Sequence, residues 1–124
     1  MTKGIRGATQ VDADLPESIL SATRELLATI AEVNAVTSQD VVACFFTTTP
    51  DLTAQYPALA ARQFGWVDVP LLGSTEMAVP SAPERILRVL LLVEWSPERP
   101  APQHVYLKGA VVLRPDLQQG GRVR

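Results

Sequence analysis

An arginine inside an apolar strand is the residue whose position most needs a chemical explanation. Residues 86–93 are apolar on both alternating faces except at Arg88, a pattern typical of a central β-strand covered on both sides. A guanidinium keeps its proton in a protein, so its burial is costly unless anions or hydrogen bonds meet it. The simpler explanation is a structural ion pair with Glu76 or Glu94. The alternative is a pocket that binds an anionic ligand.

Other residues suited to binding an anion stand at separated positions. Arg6 lies between two glycines, which allow a ligand or another backbone to come close. Arg62 is expected in the last turn of a short helix, where a cation also suits the helix dipole. Tyr106 and Arg114 lie in apolar stretches near the C-terminus. Taken one at a time, these residues have simpler explanations as a surface arginine, a helix-terminal cation or a strand aromatic.

The composition limits the class of protein. The chain has 124 residues, 47% hydrophobic and 19% charged, which predicts a single globular domain spanning residues 1–124. A formal net charge of −2 argues against a nucleic-acid partner. Cys44 and His104 are the only residues of their types, so an intrachain disulfide and a structural zinc site are excluded. The sequence shows no signal peptide and no apolar run near the ~20 residues of a membrane helix, so we expect a cytoplasmic protein with no membrane partner.

The elements that must position these residues follow from the hydrophobic pattern. Helical spacing and an early Pro16 predict a helix that ends near Asn34, with Asp14 as its N-cap. A shorter helix is expected over residues 57–64, stopped by Gly65. One strand is predicted to begin at residue 4, three more are predicted over residues 41–47, 67–72 and 86–93, and a short strand is predicted to include Tyr106. The C-terminal tail, residues 118–124, is expected to be flexible.

Together these elements predict an α+β fold, a mixed sheet of about five strands with helices on one face. The sequence contains no glycine-rich nucleotide loop and no internal repeat. Helices on one face leave the other face uncovered, although the central strand is apolar on both. A second copy of the same sheet is the natural cover, which predicts a homo-oligomer.

Short segments in a fixed order resemble the AroH class of chorismate mutases. Each segment is weak alone, but the ordered set at matching separations spans about residues 3–117. The resemblance implies a ferredoxin-like, chorismate-mutase-like chain in a homotrimer whose sheets form a pseudo-barrel, with active sites between subunits. The segments are Gly4-Ile-Arg-Gly-Ala-Thr9, Thr49-Pro-Asp-Leu52, Glu76-Met77, Arg88-Val89, Val105-Tyr-Leu107 and Ala110-Val-Val-Leu-Arg-Pro-Asp116.

The resemblance implies an isomerase that converts chorismate to prephenate in the shikimate pathway, on the way to phenylalanine and tyrosine. This [3,3] pericyclic step needs no cofactor, metal, nucleophile or proton transfer. It needs a dianionic substrate held in a compact shape. It also needs a cation at the ether oxygen, where negative charge grows as the C–O bond breaks.

The resemblance also assigns roles to residues and reverses the preference for the simpler explanations of the arginines. Arg88 matches the arginine that faces the ether oxygen. Arg6 and Tyr106 match the residues that hold the side-chain carboxylate, and Glu76 matches the glutamate that fixes the ring hydroxyl. Six further residues are implied around the substrate, with the arginines near the mouth: Tyr56, Arg62, Leu72, Gly73, Leu113 and Arg114.

Some positions depart from the family pattern. Gly73 stands where known members carry a cysteine, Leu59 stands where a lysine often lies, and the segment between Arg62 and Trp66 is one residue short. The first two changes remove side-chain contacts to the substrate. Two other functions remain open from the sequence. They are an imine deaminase of related trimeric architecture and a non-catalytic trimer that binds a small anion.

Overall fold

A computed structural model describes residues 1–113 and the backbone of residues 122–123. Arg114 lies outside the described residues, as does the tail predicted to be flexible, residues 118–124, apart from the backbone of residues 122–123. The helices are α1 (Pro16–Asn34) and α2 (Pro57–Gln63), with 3-10 helices at Ser38–Asp40 and Lys108–Leu113. The strands are β1 (Thr2–Gln10), β2 (Val41–Thr48), β3 (Leu71–Thr75), β4 (Ile86–Glu94), β5 (Val105–Tyr106) and β6 (Arg122–Val123).

These strands form one mixed sheet in the order β3-β2-β4-β1-β5-β6. Strand β4 runs antiparallel to both of its neighbours, β1 and β2, whereas β3, β5 and β6 join by parallel pairing. The α+β class and the interior position of the strand that carries Arg88 are therefore confirmed.

Helix α1 begins and ends near the predicted residues, but its predicted cap is wrong. Pro16 starts the helix and Asn34 ends it, while the N-cap position belongs to Leu15, which makes no side-chain capping bond. The face of α1 toward the sheet is apolar and buried, as its spacing predicts. No helix in the described part of the chain is long and apolar enough to cross a bilayer.

Asp14 ties a loop to the start of α1 instead of capping the helix. Its carboxylate accepts hydrogen bonds from the Thr53 hydroxyl at 2.7 Å, the Thr53 N–H at 2.8 Å and the Ala54 N–H at 3.0 Å. These bonds, the Thr53 hydroxyl foremost, lower the pKa of Asp14. The extended backbone of the N-cap position belongs to Leu15 instead, with φ of −130° and ψ of 147°.

Strand β3 was predicted at residues 67–72, and this boundary is wrong because the strand is Leu71–Thr75. Pro70 has no N–H to donate, and its carbonyl instead accepts from the Cys44 N–H at 2.9 Å just before the strand starts. Val69 is buried in the core from a turn rather than from a strand. An apolar residue in that turn produced the mistaken strand pattern.

The two faces of the sheet differ in burial. On the helix face of β4, Leu87, Leu91 and Val93 are fully buried and Val89 nearly so. On the opposite face Leu90 remains 40% exposed, and on the edge strand Leu72 is 61% exposed. The prediction that helices cover one face of the sheet is therefore confirmed. The other face presents apolar side chains that the described residues leave partly uncovered.

A hydrogen-bonded junction fixes where β4 begins. Arg85 has a left-handed backbone with φ of 53°, which is costly for a residue with a side chain. Its N–H donates to the Asp51 carboxylate at 2.9 Å, and its side-chain Nε donates to the Val11 carbonyl at 2.8 Å. The Ile86 N–H then donates to the Thr49 hydroxyl at 3.0 Å. The junction therefore holds the register of β4, and with it the position of Arg88.

Candidate active site

The structure places three of the predicted residues around one cavity of about 300 Å³ on the uncovered face of the sheet. Arg88 lies on β4, Arg6 on β1 and Tyr106 on β5. The strand register aligns Tyr106 with Ala8 and Ala8 with Arg88, so a small side chain separates the two larger ones. Ala8 is therefore the residue that leaves room for the cavity.

Arg88 forms its ion pair with Glu76, one of the two partners considered from the sequence. The Arg88 Nε lies 3.0 Å from Glu76 Oε2. Glu94, the other candidate partner, accepts instead from the Thr2 hydroxyl at 2.9 Å. Among the described residues no hydrogen bond reaches the Nη atoms of Arg88. The ion pair thus holds the guanidinium by one nitrogen and leaves the outer nitrogens to meet an anion.

The ion pair is only partly shielded from solvent. The Glu76 side chain is 16% exposed and the Arg88 side chain is 43% exposed. Glu76 immediately follows β3, and its N–H donates to the Thr48 carbonyl at 2.8 Å, which extends the pairing of β2 with β3. A carboxylate thus approaches the cavity from one side, while the guanidinium remains open to a ligand.

Arg6 and Tyr106 complete this group from the other side. Arg6 is exposed, and its backbone N–H donates to His104 Nδ1 at 3.0 Å. Tyr106 is 5% exposed and packs with Ala8, and Leu113 packs against the same small cluster. Two guanidinium groups therefore belong to a site with one carboxylate. Such a balance favours an anionic ligand.

The other predicted binding residues do not reach this cavity within one chain. Tyr56 and Gly73 line a separate cavity of about 330 Å³, together with Phe46 and Thr48 of β2. Leu72 is exposed on the edge strand, and Arg62 is exposed in the last turn of α2. Arg114 lies outside the described residues. One chain therefore holds the predicted residues in two groups.

Strand β2 separates these two groups. Phe45 and Thr47 line the cavity of Arg88, whereas Phe46 and Thr48 line the cavity of Tyr56. Successive side chains of a strand point to opposite faces of a sheet. The two cavities therefore open on opposite faces of the same sheet.

Comparison with known proteins assigns the chain to a family. The family model for chorismate mutase type I matches residues 2–117, nearly the whole chain. The chain belongs to the type I chorismate mutase family. The resemblance predicted from the sequence is confirmed, and membership favours the mutase over the imine deaminase and the anion-binding trimer.

Individual relatives agree with the family assignment over nearly their full length. Chorismate mutase AroH of Thermus thermophilus is 49% identical over 121 residues, which is 95% of this chain and 98% of the relative. Chorismate mutase AroH of Bacillus subtilis (strain 168) is 43% identical over 118 residues, covering 94% of this chain and 93% of the relative. A solved chorismate mutase from Clostridium thermocellum superposes with a TM-score of 0.85 at 38% identity, covering 89% of this chain and 98% of that one.

Two residues that contact the predicted site residues were missed from the sequence. The Thr47 hydroxyl donates to Glu76 Oε2 at 2.6 Å, although the sequence analysis placed Thr47 only at the end of the strand predicted over residues 41–47. Strand alternation could have found it, because Thr47 lies two residues after Phe45 on the same face. His104 accepts the Arg6 N–H, and the sequence gave no signal for that contact because its partner lies 98 positions away.

Proposed function

We propose that the chain isomerises chorismate to prephenate with a site built around Arg88, Glu76, Arg6 and Tyr106. The observation that carries this proposal is the ion pair of Arg88 with Glu76. It fixes the guanidinium through Nε and leaves its outer nitrogens open in a cavity that Arg6 also lines. A fixed, partly desolvated cation is what the transition state of this rearrangement requires.

The chemistry is a redistribution of electrons within one molecule. The ether C–O bond breaks while a carbon–carbon bond forms between the enolpyruvyl methylene and the ring, so no proton or leaving group departs. Arg88 faces the ether oxygen and stabilises the negative charge that grows there. Arg6 and Tyr106 hold the side-chain carboxylate, and Glu76 accepts the ring hydroxyl. Holding the diaxial shape removes much of the entropic cost of the reaction.

We further propose that the complete site lies between subunits of a homotrimer. Within one chain the cavities of Arg88 and Tyr56 open on opposite faces of the sheet, so only a neighbouring copy can bring Tyr56, Arg62 and Gly73 to Arg88. The partly exposed apolar side chains Leu72 and Leu90 support burial against that copy. As the family resemblance implies, Tyr56 and Leu113 would then wall the pocket, and Arg62 and Arg114 would cover the substrate near its mouth.

A direct assay tests the proposed activity. Purified protein is mixed with chorismate, and the loss of chorismate absorbance is followed. Because substrate and product are isomers, their masses are equal and the product is identified by proton NMR. We expect prephenate. Binding of chorismate without turnover would identify an anion-binding protein, and no effect on chorismate with hydrolysis of an imine substrate would identify a deaminase.

A further inference from the structure

Thr47 contacts the predicted catalytic ion pair directly. Its hydroxyl donates to Glu76 Oε2 at 2.6 Å, and the same oxygen accepts from Arg88 Nε at 3.0 Å. Thr47 is also the cross-strand partner of Arg88 in the pairing of β2 with β4. One carboxylate oxygen is therefore held by two donors that approach from neighbouring strands.

The two oxygens of the Glu76 carboxylate differ in their hydrogen bonding. Among the described residues, Glu76 Oε1 has no hydrogen-bond partner. With Oε2 fully engaged by Thr47 and Arg88, Oε1 is the oxygen that can accept a hydrogen bond from a ligand. Hydrogen bonds to an ionised carboxylate are short and strong, so the pair of donors sets the orientation of the whole group.

The backbone pairing of the sheet does not fix the orientation of the Glu76 side chain. The residue follows the last residue of β3, and its N–H bond to Thr48 fixes its backbone but not its side chain. A glutamate side chain has several rotatable bonds, whereas the β-branched Thr47 has few rotamers and stands on a rigid strand. The hydrogen bond from Thr47 therefore restricts the side-chain rotamers of Glu76, because Thr47 itself is held on the rigid strand β2.

We propose that Thr47 is a positioning residue that orients Glu76 and, through it, Arg88. This inference rests on the proposed function. It predicts an effect on the chemical step rather than on overall affinity, because Arg6 and Tyr106, which are proposed to hold the substrate carboxylate, stand on β1 and β5, neither of which pairs with the strand of Thr47.

The test compares Thr47→Val with Thr47→Ser. Valine keeps the shape and the strand propensity but removes the donor, and serine keeps the donor. We expect Thr47→Val to lower kcat about tenfold while KM changes less than about threefold, and Thr47→Ser to retain most of kcat. Thr2→Val is the matched control, because the Thr2 hydroxyl also donates to a glutamate across strands, Glu94, and neither residue lines the cavity of Arg88. It should leave kcat unchanged.

A double-mutant cycle shows whether Thr47 acts through Glu76. In a Glu76→Ala background, Thr47→Val should lower kcat less than about twofold, because the group that it orients is gone. An equal loss in both backgrounds would overturn the inference, as would a wild-type kcat in folded Thr47→Val. If Thr47→Val does not fold, Thr47→Ala provides the same comparison.

The outcomes separate this inference from the proposed function. A wild-type protein that does not convert chorismate refutes both. An active wild type with an unaffected Thr47→Val refutes only the role of Thr47. A crystal structure of Thr47→Val tests the inference without an activity assay. We expect the Glu76 carboxylate in that structure to have moved away from Arg88 Nε. An unchanged carboxylate would count against the inference.

Discussion

Arg88 combines two roles that the sequence presented as alternatives. It is a structural cation, because Glu76 neutralises it at 3.0 Å. It is also suited to a ligand, because its side chain is 43% exposed and only Nε is engaged among the described residues. An ion pair that used the whole fork of the guanidinium would have satisfied it completely. Partial engagement leaves a positioned cation, which is more useful for stabilising a transition state than a mobile surface arginine.

Replacing Arg88 should therefore affect kcat much more than KM. Arg88→Ala should lower kcat by about 10²–10³-fold, roughly 3 kcal/mol, the loss typical of a missing donor to a developing oxyanion. Arg88→Lys should recover little, because a point charge cannot keep both the contact to Glu76 and the one to the ligand. Steady-state kinetics on chorismate measure both constants. Arg24→Ala is the control, because Arg24 bonds Gln63 on the helix side. A folded, assembled Arg88→Ala with near-normal kcat would contradict the proposed mechanism.

Cys44 and His104 are the side chains of this sequence whose usual chemistry includes proton transfer closest to neutrality. Burial raises the pKa of the Cys44 thiol to about 12, so it stays neutral and unreactive. His104, the only histidine of the sequence, uses Nδ1 to accept the Arg6 N–H. That hydrogen bond holds the main chain of Arg6. A reaction that moves no proton is consistent with both.

We therefore expect kcat to be nearly flat from about pH 6 to 9, with almost no slowing in heavy water. Single-turnover measurements in both solvents isolate the chemical step from product release. A bell-shaped kcat profile together with a large solvent isotope effect on that step would show that a proton moves. The pericyclic assignment would then be wrong.

At the scale of elements, the sequence predicted what depends on local pattern and missed what depends on distant contacts. The long helix and the central strand were predicted correctly because their apolar periodicity is unambiguous. The start of β3 was missed because Val69 is apolar yet lies in a turn before Pro70. The cap at Asp14 failed for another reason, because its partner Thr53 lies 39 positions away.

The site shows the same limit. Arg6, Glu76, Arg88 and Tyr106 were predicted as one set through family resemblance, and the structure brings them to one face of the sheet. Residue types alone could not show that Arg88 would contact Glu76 through Nε and leave its Nη atoms without a partner among the described residues. The role of Thr47 depends on the register of β2 against β4, which no local pattern specifies.

The Asp14 tether should contribute stability that depends on pH. Hydrogen bonds lower its pKa in the folded state, so the contribution is present above the unfolded pKa and is lost as pH falls through the folded one. Asp14→Ala should lower the urea midpoint at pH 7, and the difference from wild type should shrink below about pH 4. Asp68→Ala, at an exposed turn, is the control and should leave the midpoint unchanged. A difference that persists undiminished in acid would show that the carboxylate charge is not responsible.

At the scale of the whole molecule, the sheet itself divides the proposed site. Each chain carries the Arg88 cavity on one face and the Tyr56 cavity on the other. In the proposed homotrimer, the sheets of neighbouring copies bring the Arg88 cavity of one chain next to the Tyr56 cavity of the next. In that arrangement a neighbouring copy would cover the face of β4 that carries Leu90, which is consistent with a central strand that is apolar on both sides.

Complementation between inactive variants tests this division. Arg88→Ala damages one half of the site and Arg62→Ala damages the other, so each homotrimer should have impaired sites. When the two are unfolded, mixed equally and refolded together, random assembly leaves about a quarter of the sites with both arginines intact. Activity should therefore rise toward about a quarter of the wild-type value, above either parent refolded alone. Simple mixing without unfolding is the control for subunit exchange. Because the two variants have equal masses, one of them is labelled with ¹⁵N so that mixed trimers can be confirmed by mass. If such mixed trimers show no recovery, Arg62 and Arg88 act from the same chain, and the proposed site between subunits would have to be abandoned.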